Sequence, residues 1–304
     1  MDFSQLAQTL ERQGVACRCE EPMRLHTTFR VGGPAALFVE PKTVEEVAKT
    51  LLEFREAGVP WFLLGRGSNL LVGDDPLPLA VVHFGDLFAG IERQETTLLY
   101  AQSGASLMAV CRAARDMGLS GLEFAYGIPG AVGGGVYMNA GAYGGELKDA
   151  VEQVDYLEED GTLCSAVGEE LDFAYRHSVF TDSRRWILGA SFRLKLGDPK
   201  AIGANMDEIY GRRKEKQPLE YPSAGSTFKR PQGAYAAALI DQCGLKGFSV
   251  GDAQVSEKHA GFVINRGNAT CRETLELIRQ VQRIVREQTG FTLEREVKLL
   301  GVEE

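Results

Sequence analysis

The chain has 304 residues, 44% of them hydrophobic and 25% charged, with a formal net charge of -9. That length predicts two packed units, or one large and one small, and the near-average composition excludes a disordered, fibrous or membrane-embedded chain. The acidic balance speaks against nucleic-acid binding, which needs clustered excess Lys and Arg against the phosphate backbone.

The opening MDFSQLAQTLERQG lacks an apolar run flanked by basic residues, and no later stretch is long enough to span a bilayer. A cytoplasmic protein with no membrane partner is therefore expected. Thr43 and Glu46 read as a capping box and Gly58 as a stop, which predicts a helix over 44–57. Apolar runs predict strands at 61–64, 80–84 and 98–101. Ser106 opens SLMAVCRAARDMG, whose apolar residues recur at helical spacing until Gly118. The run 121–146 reads as neither helix nor strand, because its crowded glycines add conformational freedom that folding must remove. Strands resume at 151–157 and 186–196. A basic helix over 206–216 ends at Pro218, and composition shifts through EYPSAGSTFKRP into a second unit. A helix over 234–243 closes at Gly244, and a strand follows at 259–265. Thr270 with Glu273 caps a long helix to 288, stopped by Gly290, and LEREVKLLG forms the last strand.

Cysteines stand at 17, 19, 111, 164, 243 and 271, with no CxxC pair and no histidine at zinc spacing. They read as free thiols, and no metal site is expected.

Two glycine loops carry the first functional signal. In GIPGAVGGGVYMNAGAYGGE (127–146) the bare backbone suits close approach of a ligand, and successive N–H groups in such turns form anion sites. A flexible surface loop is the other reading, against which stand Ile128, Val132, Val136, Tyr137 and Met138. GRGSN (65–69) follows an apolar strand and is placed to meet phosphate; a plain turn fits it as well. It does not fit GxGxxG, so a Rossmann dinucleotide site is not supported.

Three ordered blocks, HTTFRVGGPA (26–35), GRGSNLLV (65–72) and the 127–146 run, resemble the MurB family of flavin-dependent reductases. YRHSVF (175–180), SAGSTFKRP (223–231), GDAQVSEKHAGFVIN (251–265) and LEREVKLLG (293–301) extend the resemblance over nearly the whole chain. With no long insertion bearing a substrate-closing tyrosine, the chain looks like the family's shorter branch. The resemblance implies an α+β fold: an FAD-binding domain of the vanillyl-alcohol oxidase/p-cresol methylhydroxylase type, in two α+β subdomains, plus a smaller α+β substrate domain. The corresponding boundaries are 1–200, split near 60–65, and 201–304. It further implies noncovalent FAD, NADPH as hydride donor and a UDP-sugar substrate; a monomer is the default.

The reaction so implied is conjugate addition of hydride to an enolpyruvyl ether, which needs an electrophile, a proton donor and a cofactor holder. By the resemblance, Arg176 stabilises the developing enolate, Glu296 helps when protonated or by pairing with and orienting Arg176, and Ser226 donates the proton. FAD contacts are implied at Arg30, Gly65, Gly67, Ser68, Asn69, Gly127, Ile128, Pro129, Gly130, Gly133, Gly134, Asn139, Gly141 and Ala142. Substrate contacts are implied at Tyr175, Lys216, Lys229 and His259. On residues alone, Ser226 also fits a turn cap beside Gly225, and His259 a hydrogen-bonded histidine beside a strand. Lys229, Arg230, Lys258 and His259 read as local positive charge for a diphosphate and a carboxylate. Another FAD-dependent oxidase or dehydrogenase of the same fold, acting on an alcohol or sugar, is the alternative, and it would lack Ser226 and Glu296.

Overall fold

Several helices begin or end on a signal written in their sequence. Helix α1 (Phe3–Arg12) starts where the Asp2 carboxylate accepts the N–H groups of Ser4 and Gln5, and it buries Leu6, Ala7 and Leu10. In α2 (Val44–Ala57) the Thr43 hydroxyl accepts the Glu46 N–H, and Gly58 ends the helix at φ 61°. The Glu46 carboxylate reaches the N–H of Lys42 at 2.8 Å, so the expected box closes one residue upstream of Thr43. Ser106 caps α3 (Leu107–Asp116) as expected.

The 121–146 run departs from expectation. It contains helix α4 (Val132–Tyr137), and a small hairpin pairs Gly141–Ala142 with Gly145–Glu146. Packing overrides propensity here. Val132 and Val136 are fully buried, and a Cβ on Gly135 would stand 2.9 Å from a Leu147 methyl. Glycine lets the helix sit this close to its neighbours. The helix ends in a Schellman closure, with Ala140 N–H donating to Gly135 O and Asn139 N–H to Val136 O. Asn139 takes the left-handed position at φ 42°.

Helix α5 (Pro199–Lys216) begins earlier than the expected 206, on a proline whose missing N–H costs nothing in a first turn. Helix α6 (Ala236–Gln242) and helix α7 (Cys271–Thr289) complete the set. The Thr270–Glu273 capping box of α7 closes reciprocally, and Gly290 stops it at φ 77°.

The computed structural model describes residues 2–302, which divide into two units. The first takes the chain up to Cys19, Leu37–Arg66 and Leu79–Arg212; the second takes Glu20–Ala36, Gly67–Pro78 and the chain from Arg213 onward. The division inside α5 lies twelve residues beyond the expected boundary at 200, and two earlier segments join the C-terminal part.

The first unit has two cores. One gathers Leu10, Val47, Phe54, Val82 and Trp186. A sheet ordered Ala16–Pro22, Pro34–Glu40, Leu77–His83, Trp61–Leu64 contributes to it. The other core lies on a five-stranded antiparallel sheet ordered Leu163–Val167, Val151–Leu157, Trp186–Arg193, Leu98–Gln102, Ile91–Glu95. Neither outer strand was expected; Ile91–Glu95, IERQE, escaped because this edge strand carries charge instead of alternating apolar residues. The two cores correspond to two subdomains. Their division falls later than 60–65, because Leu77–His83 returns to pair in parallel with Trp61–Leu64.

In the second unit an antiparallel sheet runs Ser223–Ser226, Phe262–Asn265, Ala253–Val255, Ser249–Val250. Helices α6 and α7 cover its core through Ile240, Leu277, Ile278 and Val281. The last strand, Lys298–Leu300, pairs in parallel with Leu70–Val72.

Candidate functional site

Tyr175 and Arg176 form the tip of a two-residue turn. The Ala174 N–H donates to His177 O at 3.1 Å and the His177 N–H to Ala174 O at 3.2 Å, with Arg176 at φ 54°. The Arg176 guanidinium lies 5.2 Å from the centre of the Tyr175 ring, and its Nη2 stands 3.5 Å from Gly141 O. These two residues, the 141–146 hairpin, Lys148 and Asp149 line a recess of about 380 Å³. Within it, Glu146 is held ionised by the Lys148 ammonium 2.8 Å away, which keeps its carboxyl below the usual range; Arg176 adds to the effect. Glu146 and Lys148 were not among the predicted site residues, although two charges closing a glycine run were a usable signal.

Asn139 requires a correction. It was expected to touch the cofactor, yet its side chain has 0% exposure. Its amide donates to Ala174 O at 2.9 Å and to Glu146 Oε2 at 3.1 Å, and accepts the Lys148 N–H at 3.0 Å. Those bonds serve the protein, and no face of the amide is left for a ligand.

The glycines separate into two kinds. Gly67, at φ 58°, would place a Cβ 2.3 Å from His26 O, and Gly33 one 2.4 Å from Asp74 O. In the second unit these two residues let neighbouring chain segments touch. A Cβ on Gly133 would meet Ser103 at 3.0 Å, and one on Gly141 would meet Glu146 at 2.7 Å. The N–H groups of Val132 and Gly133 are already donated to Ala105 O and Ser103 O, so these two are not available to an anion. Gly134 differs, since it is exposed and an added Cβ would meet nothing within 4 Å. Gly65 is nearly as open, its nearest neighbour being Ala131 at 3.4 Å. Pro129 is also exposed, while Gly127, Ile128, Gly130 and Ala142 keep partial exposure. This bare, partly open backbone fits a bulky cofactor held by main-chain contacts.

In the second unit, Ser226 ends the strand Ser223–Ser226. A register shift between those residues, with Gly225 at φ 74°, turns the Ser226 side chain outward. Ser226 is exposed and its hydroxyl makes no hydrogen bond among the described residues, so it is not a turn cap. Glu296 is its near neighbour, because the Glu296 N–H donates to Thr227 O at 2.8 Å. Asn69 joins them through a bond from its amide to Glu296 O at 3.2 Å. Gly67, Ser68 and Asn69 belong to this unit with Arg30, which is exposed at φ 58°.

The basic residues are less available than their number suggested. Lys229 pairs with Glu294 at 3.2 Å, and Lys258 donates to Lys214 O at the C-terminal end of α5. Lys216 is exposed in the last turn of that helix. His259 is corrected as a source of charge: its Nδ1 accepts the Gly261 N–H at 3.2 Å and its ring packs edge-on to Phe262. Burial pushes its pKa below the ordinary histidine value and keeps it neutral. The unfolded chain then binds a proton that the folded chain refuses, so His259 removes stability as pH falls below the ordinary histidine value. His259→Asn, which keeps an acceptor, is expected to flatten the fall in melting temperature between about pH 7 and about pH 5. An unchanged slope would assign that fall to another group.

Two family models match the chain: an FAD binding domain over residues 35–166, and the C-terminal domain of UDP-N-acetylenolpyruvoylglucosamine reductase over 217–300. Berberine bridge enzyme from Eschscholzia californica shares the fold over 65% of this chain and 44% of its own, with a TM-score of 0.50 at 16% identity. The protein thus carries an FAD binding domain with the α+β cofactor fold anticipated above. A reductase from Agathobacter rectalis is 47% identical over 293 residues, 93% of each chain, and one from Caldanaerobacter subterraneus subsp. tengcongensis 45% over 281 residues, 92% of each. The crystal structure of MurB from Thermus caldophilus superposes with a TM-score of 0.79 at 36% identity, covering 94% of this chain and 98% of that one. The chain belongs to the UDP-N-acetylenolpyruvoylglucosamine reductase (MurB) family.

Proposed function

We propose that this chain reduces UDP-N-acetylenolpyruvoylglucosamine to UDP-N-acetylmuramic acid with NADPH, a step of peptidoglycan precursor synthesis. The carrying observation is likeness to a reductase of that name at 47% identity over 93% of both chains. The match of residues 217–300 to the reductase's own C-terminal domain separates it from oxidases sharing only the cofactor fold.

Bound FAD would supply the hydride chemistry that links NADPH to the methylene carbon of the enolpyruvyl group. The loops holding Gly65, Gly127–Gly130 and Gly134 would seat it through their main chain. Arg176 stabilises the charge that grows on the substrate carboxylate, through its fork of donors. Ser226 hands a proton to the neighbouring carbon; its outward aim leaves the hydroxyl accessible for this. Glu296, beside Ser226 in chain pairing, orients the charged groups. Tyr175, Lys216 and Lys229 are assigned to the substrate.

Among the described residues, no helix is long and apolar enough to cross a membrane. Six cysteines outside any disulfide and dependence on NADPH support work in the cytoplasm. A monomer is the state we assign, and cell shape and division depend on the product.

The purified protein is expected to be yellow, to release flavin on acid denaturation, and to oxidise NADPH rapidly only when the enolpyruvyl sugar nucleotide is added. A colourless protein that FAD cannot reconstitute would overturn this reading.

A further inference from the structure

We infer that Asn139 is a positioning residue for Arg176, setting the turn from which the guanidinium acts. The inference rests on the reading of Arg176 as the group that stabilises the enolate.

Asn139 is the point at which three pieces of chain meet. Its backbone closes helix α4 in the left-handed position. One amide hydrogen goes to Ala174 O, the carbonyl that also closes the Tyr175–Arg176 turn, at 2.9 Å. The other goes to Glu146 Oε2 on the 141–146 hairpin, and the amide oxygen takes the Lys148 N–H. The turn is thus fixed to the hairpin over which Arg176 lies.

Three features make this more than general packing. The side chain is wholly buried, so each broken bond leaves a polar group without water to replace its partner. Ala174 itself is exposed, and the core does little to hold it. The turn also places Arg176 at positive φ, a conformation that a non-glycine residue keeps only when its surroundings impose it.

Asn139→Asp is the sharpest test. It preserves size and tolerance of positive φ, while setting a carboxylate against the Glu146 carboxylate and the Ala174 carbonyl. We expect reduction of the enolpyruvyl substrate to slow by about tenfold to a hundredfold, as slight misplacement of a reacting group does. Reduction of bound flavin by NADPH, KM for NADPH and flavin content should stay within about twofold. In an Arg176→Ala background the same substitution should add less than about twofold, since the group it positions is gone.

If Arg176→Ala alone leaves substrate reduction unchanged, the role of Arg176 fails and this inference fails with it. If Arg176→Ala slows the reaction but Asn139→Asp has no effect, or multiplies fully with it, the inference fails and Arg176 keeps its role. Should Asn139→Asp lose flavin, Asn139→Gly decides, because it keeps the left-handed backbone and removes all three side-chain bonds. Selective slowing with flavin retained then supports positioning; renewed flavin loss, or an unchanged rate, overturns it.

Discussion

Replacing Ser226 by alanine is expected to slow reduction of the enolpyruvyl substrate about a thousandfold, while flavin reduction by NADPH stays within about twofold. The asymmetry follows from where the hydroxyl stands. Gly225 at φ 74° and the shifted register turn Ser226 outward from its sheet, and the hydroxyl has no structural partner among the described residues. Its removal therefore leaves no buried group unsatisfied and costs the fold little. Loss should fall on proton delivery alone. A serine hydroxyl is a weak acid, so the step requires a strongly basic carbanion, which hydride addition generates. Stopped-flow measurement of the two half-reactions separates the cases: equal losses in both would make Ser226 a structural residue.

Gly67→Ala is expected to destabilise the fold by about 3–5 kcal/mol, combining overpacking with a left-handed backbone. Its Cβ would lie 2.3 Å from the His26 carbonyl oxygen, a backbone atom that cannot swing aside. Gly134→Ala is the matched control. With helical backbone and nothing within 4 Å of the new methyl, it should leave the flavin-free protein unchanged or about 0.5–1 kcal/mol more stable, and weaken flavin binding. Denaturant unfolding with and without flavin reads both effects. Equal behaviour of the two variants would contradict the division of the glycines into packing and ligand-facing sets.

Local signals were legible where chemistry acts over a few residues. The caps of α2, α3 and α7 and the stops at Gly58 and Gly290 needed only neighbouring side chains. Helix α1 carried such signals too, an Asp2 cap with apolar residues at 3, 6, 7 and 10, which a reading aimed at a leader passes over. Helix α4 was hidden because three glycines argue against a helix, while the burial of Val132 and Val136 in the core on the five-stranded sheet depends on residues elsewhere in the chain. The candidate site residues came from family resemblance. Their local geometry was not legible: nothing in MNAGAYGGE announces that Asn139 turns inward while Glu146 and Lys148 line the recess. At Gly67 the missing side chain also answers a packing need that the loop sequence does not announce, since chain meets chain there.

The way the chain passes between its two units limits how such a protein can change. Phe29, Val31 and Leu71 share one core with Ile240, Leu277 and Val281, although some two hundred residues separate them. A recombination event replacing everything after Arg213 would import a partial core and graft it onto three resident residues shaped for another partner. New substrate preferences in the C-terminal part must therefore arise by point changes, or arrive together with altered segments 20–36 and 67–78.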